Sequence, residues 1–472
     1  MRVFMLGWEF PPFISGGLGT ACYGLTKALS AQHTGVTFVL PKTVDSDYTS
    51  HVKLLSPQAP QAAAGDRAPD SVSSSFEIDA PVMPGESEEV FEHVSFRAVP
   101  SKFSSPYAGG ASVAARGESS DRGISFINPQ ASIPQPPPLT PPPVATEAEV
   151  DESPSEPVRT QDTPDYDGDL HAEARRYADL CVALAAGEDF DVIHAHDWLT
   201  FPAGIAVAQA TGKPLVVHVH STEYDRSGEN GNSIVRDIEA QGCHAARRII
   251  AVSRRTKAVL VERYDLHPDK IEVVYNGIEN GPANPDITIP PKIAKDDKIV
   301  LFLGRVTMQK GPEYFIRAAK RVLEIMDNVK FVVAGTGDKI QELIEMATRA
   351  GIGHKVVFTG FLRGDDVERV FKMVDVYVMP SVSEPFGIAP LEAISHDVPV
   401  IMSKQSGVSE VIEHALKVDF WDTDEMANKI IAVLRHPPLG ATLREHADLE
   451  VRKLTWDGAA AKCLEVYESA VG

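Results

Sequence analysis

The sequence predicts an α/β protein built from two doubly wound parallel-sheet units that face each other across a cleft. Three observations carry this. Apolar runs without alternation recur along the chain, such as IVLFL at 299–303 and VYVM at 376–379, and strands covered by helices on both faces read this way. Helical stretches separate these runs at the spacing of βαβ units. The alternation also stops and restarts midway along the chain, around Pro282, Pro285, Pro290 and Pro291, which marks 281–297 as a linker.

Taken in order, 2–6 is an apolar strand. Gly16-Gly17-Leu18-Gly19 follows it, and then a helical period at Leu18, Cys22, Leu25 and Leu29. The next strand is 36–40. Strand, glycine turn, helix and strand open a doubly wound unit. The pattern then breaks over 102–167. Eight of the fifteen residues at 129–143 are proline, and nine acids against one base lie in 147–170. Such a stretch lacks the apolar area to offset its ordering entropy, and it reads as a disordered insertion. Alternation resumes with a helix over 169–186. Strands follow at 192–194, 215–219, 248–252 and 271–274, with helices at 201–210, 232–245 and 254–264 between them.

After the linker, strands are expected at 299–303, 329–333, 355–358, 374–378 and 398–401. The helices between and after them are 312–326, 338–350, 365–373, 388–395 and 422–435. A last helix near 458–470 is placed to pack back on the first unit. The expected units are therefore 1–280 and 298–455, with 456–472 as the returning helix. Length alone, 472 residues, suggests about three domains at roughly 100–200 residues each; the elements give two and an insertion.

The net charge of −21 argues against a nucleic-acid or anionic-membrane partner, since phosphate would repel the chain. Cys22, Cys181, Cys243 and Cys463 are scattered, which excludes a C-x-x-C metal site and a disulfide scaffold. No run of 18 apolar residues occurs, so no transmembrane helix is expected. The N-terminus does not read as a secretory leader, and a cytoplasmic location is the expectation.

Four motifs carry chemistry. Glu384 and Glu392 lie eight positions apart around Phe386, Gly387 and Ile388, just before a helix. Carboxylates accept hydrogen bonds from hydroxyls, and helix-start amides suit an anion; solvated surface glutamates would look the same. Arg305 and Lys310 follow an apolar strand, where parallel sheets place ligand groups. Two cations there suit a diphosphate, or they form surface ion pairs. Gly17 belongs to a glycine turn that lets backbone approach a ligand, yet the turn is not G-x-G-x-x-G and a nicotinamide site is disfavoured. His194 and His196 share one face of a strand end. His194 reads as structural and His196 as cleft-facing. A zinc site joining them to His218 and His220 is disfavoured, so no metal is expected. Gly335 sits in a further glycine turn, Gly-Thr-Gly-Asp at 335–338.

Together the set resembles a retaining glycosyltransferase of the GT-B architecture, two Rossmann-like domains, similar to glycosyltransferase family four and to the glycogen and starch synthases. The motifs EFPPFISGGLG (9–19), HAHDW (194–198), VYNGIE (274–279), GRVTMQKG (304–311), AGTGD (334–338) and SEPFGIAPLEA (383–393) occur in family order. The resemblance implies a nucleotide-diphosphate sugar donor, a carbohydrate or other hydroxyl acceptor and no cofactor or metal. It implies that Arg305 and Lys310 neutralise the diphosphate, Glu384 binds the donor sugar and Glu392 the ribose. The backbone of Phe386, Gly387 and Ile388, with Gly17 and Gly335, would line the donor. Phe361 and Leu362 would lie near the base, and His196 beside the transferred sugar. Glu9, His220 and Glu223 would stand on the acceptor side.

The glucan synthases carry Lys-x-Gly-Gly-Leu followed by an aspartate. Here Ile14 stands in place of the lysine and Thr20 in place of the aspartate. That departure favours the broader family over glucan elongation from ADP- or UDP-glucose. A non-catalytic sugar-nucleotide-binding scaffold, recruiting partners through the insertion, is the alternative from another class.

Overall fold

The computed structural model describes residues 1–11, 17–43, 76–78, 93–101, 168–279, 297–362 and 364–472. The insertion at 102–167, the linker except Asp297, and Ile14 and Gly16 lie outside the described residues.

The first sheet collects β1 (Arg2–Leu6), β2 (Gly35–Thr43), β3 (Phe76–Ile78), β4 (Val94–Ser101), β5 (Val192–His196), β6 (Leu215–Val219), β7 (Arg248–Ala251) and β8 (Ile271–Val273). Their spatial order is β3-β4-β2-β1-β5-β6-β7-β8, and only β3 runs antiparallel to its neighbour. The helices of this unit are α1 (Gly17–Ala31), α2 (Gly168–Ala185), α3 (Phe201–Thr211), α4 (Glu223–Ser227), α5 (Ser233–Ala245) and α6 (Arg254–Tyr264). The second sheet is wholly parallel. Its strands are β9 (Lys298–Leu303), β10 (Val329–Ala334), β11 (Val356–Gly360), β12 (Val376–Met379), β13 (Val400–Ser403) and β14 (Leu416–Val418), in the order β11-β10-β9-β12-β13-β14. With it go α7 (Pro312–Leu323), α8 (Ile340–Arg349), α9 (Asp365–Met373), α10 (Ala389–Ser395), α11 (Thr423–Arg435) and α12 (Pro437–Val451), and the chain ends in α13 (Trp456–Val471).

Both orders reverse direction at one point, between β1 and β5 and between β9 and β12. In open α/β sheets the ligand crevice lies outside the strand C-termini at such a switch point. The central strands β5, β6, β9 and β12 are buried on both faces, which explains the unbroken apolar runs. Helix starts are fixed locally: the Asn232 side chain accepts from Ile234 N–H, and Ser253 from Thr256 N–H.

Helix α13 completes the first unit. Trp456, Ala460, Cys463 and Tyr467 share a core with Cys22, Leu25 and Phe38. The chain crosses between units twice, side by side, where Ile278 N–H bonds Leu454 C=O at 3.0 Å.

The loops of the two units also meet. Glu410 of the second unit accepts from the backbone N–H of Arg254 (2.9 Å) and Arg255 (2.8 Å) at the start of α6, and Tyr275 donates to it at 3.0 Å.

The structure holds elements that periodicity and spacing do not mark. α12 opens with two prolines and has weak amphipathic contrast, so periodicity hides it. β3, β4 and β14 are among them, and β5 runs two residues beyond the expected 192–194, through His196. Residues 223–227 form the short helix α4 rather than an open loop.

Candidate active site

Two loops of the second unit converge at its switch point. One follows β9 and carries Arg305 and Lys310; the other follows β12 and carries Glu384. Val382 N–H bonds Gln309 C=O at 2.9 Å, which ties the loops together. Lys310 Nζ then reaches Glu384 Oε2 at 2.5 Å, and Ser381 Oγ donates to the same oxygen at 3.2 Å. Glu384 is buried, while Arg305 is exposed.

Gly387 sits at φ +105°, where a side chain is strained, and an added Cβ would also press on the Glu384 stem. Gly335 is required by packing: its Cβ would fall 1.9 Å from the Gly304 carbonyl, so the turns after β9 and β10 interlock. Glu392 is half-buried, and burial raises its carboxyl above the ordinary range. Phe361 is 50% exposed at the end of β11, whereas Leu362 packs on the core. The Phe386 ring is buried and lies 5.9 Å from Tyr275. The α10 start is a weaker amide cluster than expected. The helix has seven residues with Pro390 in its first turn, and proline removes a donor.

The first unit presents Glu9, Gly17 and four histidines. Glu9 is buried and accepts from Gly19 N–H in the first turn of α1; burial raises its carboxyl, and the charge of Arg305 opposes that rise. Glu9 and Arg305 thus sense each other across the cleft. Gly17 is exposed, with open space where a Cβ would stand.

His194 and His196 project to the same side and stack at 4.2 Å. His194 Nδ1 meets the Tyr467 hydroxyl at 2.6 Å, and its Nε2 meets His218 Nδ1 at 3.2 Å. This is the structural role expected for it. His196 Nδ1 meets His220 Nε2 at 2.9 Å, which leaves His196 Nε2 buried without a hydrogen-bond partner. Burial keeps these rings neutral: His194 and His220 are each lowered to about 3, and His196 lies well below the usual value.

Among the described residues, one cluster, His194, His196 and His218, has ligand atoms within 4.8 Å of one another. A metal sits in the plane of each imidazole at about 2.1 Å from nitrogen. The rings of His194 and His196 stack with only 27° between their planes, so they do not converge on such a point.

Two residues that sequence reading passed over shape this side. Asp197, at φ +56°, accepts from His220 N–H (2.7 Å) and Ser221 N–H (3.4 Å). Burial raises it to about 7, against the lowering charge of Arg226. The signal was present in HAHDW, since Asp tolerates a left-handed turn better than most residues. Tyr467 had no signal, because its partner lies 273 positions away.

Glu223 corrects the acceptor-side expectation. Its oxygens are taken by Arg226 Nε (3.1 Å) and Asn232 N–H (2.9 Å), and the residue is fully buried. Arg226 also bonds Glu239 at 2.6 Å, and Glu239 receives the Tyr264 hydroxyl. Glu223 therefore anchors α4 from within, while His220 stays at the rim through its contact with His196.

Three family models match successive parts of the chain. Residues 2–83 match the starch synthase catalytic domain, 134–280 glycosyltransferase family 4, and 285–449 the glycosyl transferases group 1. An uncharacterized glycosyltransferase of Methanocaldococcus jannaschii is 34% identical over 60% of this chain and 76% of its own length. The chain is a group 1, family 4 glycosyltransferase. A D-inositol 3-phosphate glycosyltransferase of Salinispora arenicola is 30% identical over 64% of the glycosyltransferase and 72% of its own length. Among solved structures, the sucrose-phosphate synthase of Thermosynechococcus elongatus superposes with a TM-score of 0.65 at 17% identity, covering 99% of this chain and 98% of its own. HepE of Anabaena, in complex with UDP and glucose, gives 0.62 at 16% identity, covering 99% and 100%. The fold of the glycosyltransferase is GT-B.

Proposed function

We propose that this glycosyltransferase moves a hexose from a nucleotide-diphosphate sugar to a hydroxyl acceptor, with retention and without a metal. The observation that carries the reading is the Lys310–Glu384 pair at the switch point, beside Arg305 and opposite Glu9. Lys310 and Arg305 supply two cations where leaving diphosphate charge develops, the role a Mg²⁺ serves elsewhere. When the phosphate takes over Lys310, Glu384 is released to accept from ring hydroxyls of the donor sugar. His196, neutral with Nε2 unengaged, borders the transferred sugar. Glu392 accepts from the ribose, Phe361 and Leu362 flank the base, and Gly17, Gly335 and the backbone of 386–388 line the donor. Glu9 and His220 stand on the acceptor side. The leaving phosphate oxygen takes the acceptor proton as the new bond forms on the same face.

UDP-linked hexose is the favoured donor, because HepE is solved with UDP and glucose. The acceptor class follows the polyol phosphate named for the Salinispora relative. The domains of this reading are 1–280 and 298–455, with 456–472 returning to the first. A thermal-shift screen with UDP-, ADP- and GDP-hexoses identifies the donor, since binding to the native state raises Tm. NMR of the product then reads the anomer. Retention with undiminished turnover in EDTA is the expected result; an inverted anomer, or full activity in Lys310→Ala and Glu384→Ala, refutes the assignment.

A further inference from the structure

Helix α4 belongs to the first unit but touches both donor loops of the second. It packs against the 308–310 turn. Ser383 Oγ, one residue before Glu384, donates to Asp225 Oδ1 at 2.6 Å, and Arg255 Nη2 donates to Ser383 Oγ at 3.0 Å. Asp225 and Ser383 are both buried. The other Asp225 oxygen accepts from Thr222 N–H (2.9 Å) and Thr222 Oγ1 (2.7 Å), so the carboxylate also closes the capping box of α4. The Glu223–Arg226–Glu239 network fixes α4 to its own unit from beneath.

We propose that Asp225 and Ser383 form a positioning pair, through which α4 on the acceptor side holds the donor loop in register with Glu384. The proposal rests on the reading of Lys310 and Glu384 as donor-binding groups. Asp225 is firmly held and Ser383 has one rotatable hydroxyl, so the bond forms only when the two units are closed to the spacing seen here. Donor binding at the second unit is then transmitted to α4 through this hydrogen bond, while Arg255 ties the same hydroxyl to the start of α6.

Hydrogen–deuterium exchange on the full chain tests this with Ser383→Ala, Ser383→Thr and Asp225→Asn. Without ligand, Ser383→Ala should speed amide exchange at 223–228 about tenfold, the size of one hydrogen bond to a carboxylate. Ser383→Thr, which keeps the hydroxyl, should restore the wild-type rate, and Asp225→Asn, whose single oxygen cannot serve both Ser383 and the Thr222 cap, should exchange at least as fast as Ser383→Ala. With UDP, wild type should gain protection at 304–311 and 384–392 and also at 223–228. Ser383→Ala should keep the first two and lose the third. Exchange at 223–228 within twofold of wild type in Ser383→Ala, or a UDP effect there that survives the substitution, overturns the pair. UDP protecting neither donor loop would instead overturn the donor reading, and the ligand-free arm would still decide the coupling.

Discussion

Lys310→Met separates the structural from the chemical work of the Lys310–Glu384 pair. The substitution keeps the aliphatic stem and removes the charge. Glu384 is then left buried, with the Ser381 hydroxyl at 3.2 Å and no ammonium at 2.5 Å. An orphaned buried charge costs about 3–5 kcal/mol. The Lys310 side chain is 22% exposed, so water reaches the gap and the low end, about 3 kcal/mol, applies. For a unit of this size, about 2–4 °C per kcal/mol gives a Tm drop of roughly 6–12 °C by differential scanning fluorimetry. Glu384→Gln in the same chain removes the orphaned charge and should return most of that loss. Activity should not return. On the proposed reading each variant loses a group that stabilises leaving-group or sugar charge, and about 10²–10³ in kcat is the expected size. A Lys310→Met Tm within 2 °C of wild type, or a double variant less stable than Lys310→Met, would refute the coupling.

Acidification should unfold the protein early. His194, His196 and His218 are buried and held below the ordinary histidine range. The unfolded chain therefore binds protons below about pH 6.5 that the native state excludes. Their stability contribution is complete above that pH and falls as pH drops, by about 1.4 kcal/mol per pH unit for each ring; Asp197, raised to about 7, takes up a proton in the native state over this window and offsets about one ring, so a net fall in Tm between pH 7 and 5 is expected and a rise would contradict this. Tyr467→Phe removes the hydroxyl from His194 Nδ1 and should cost about 1–3 kcal/mol, read as a lower urea midpoint. Gly407→Ala places a Cβ 2.2 Å from Pro385 C=O and 2.5 Å from Ser253 Cβ, where the units touch. It should cost about 1–3 kcal/mol and enlarge the radius of gyration in solution scattering; an unchanged radius and Tm would show that the contact yields freely. Deleting 105–165 should leave the UDP-hexose thermal shift intact, and its loss would make the insertion part of the donor site.

Sequence reading resolved what depends on local chemistry. The unbroken apolar runs and glycine turns spelled out parallel strands and helices, because those follow from period and spacing within a few residues. The motif order pointed to the family for the same reason, since Arg305, Lys310 and Glu384 stand at strand ends, where chain direction alone aims them at a crevice. Tertiary structure decided which of these groups meet. Lys310 and Glu384 are 74 positions apart, Asp225 and Ser383 158, and His194 and Tyr467 273. Tertiary structure also turned Glu223 inward, since the Arg226 and Glu239 that flank it come together only when α4 folds onto α5. The sequence determined the local pieces and their likeness to a family. The contacts that make a site of them arise from packing, in which a buried polar group must find its partner wherever the fold brings one within reach.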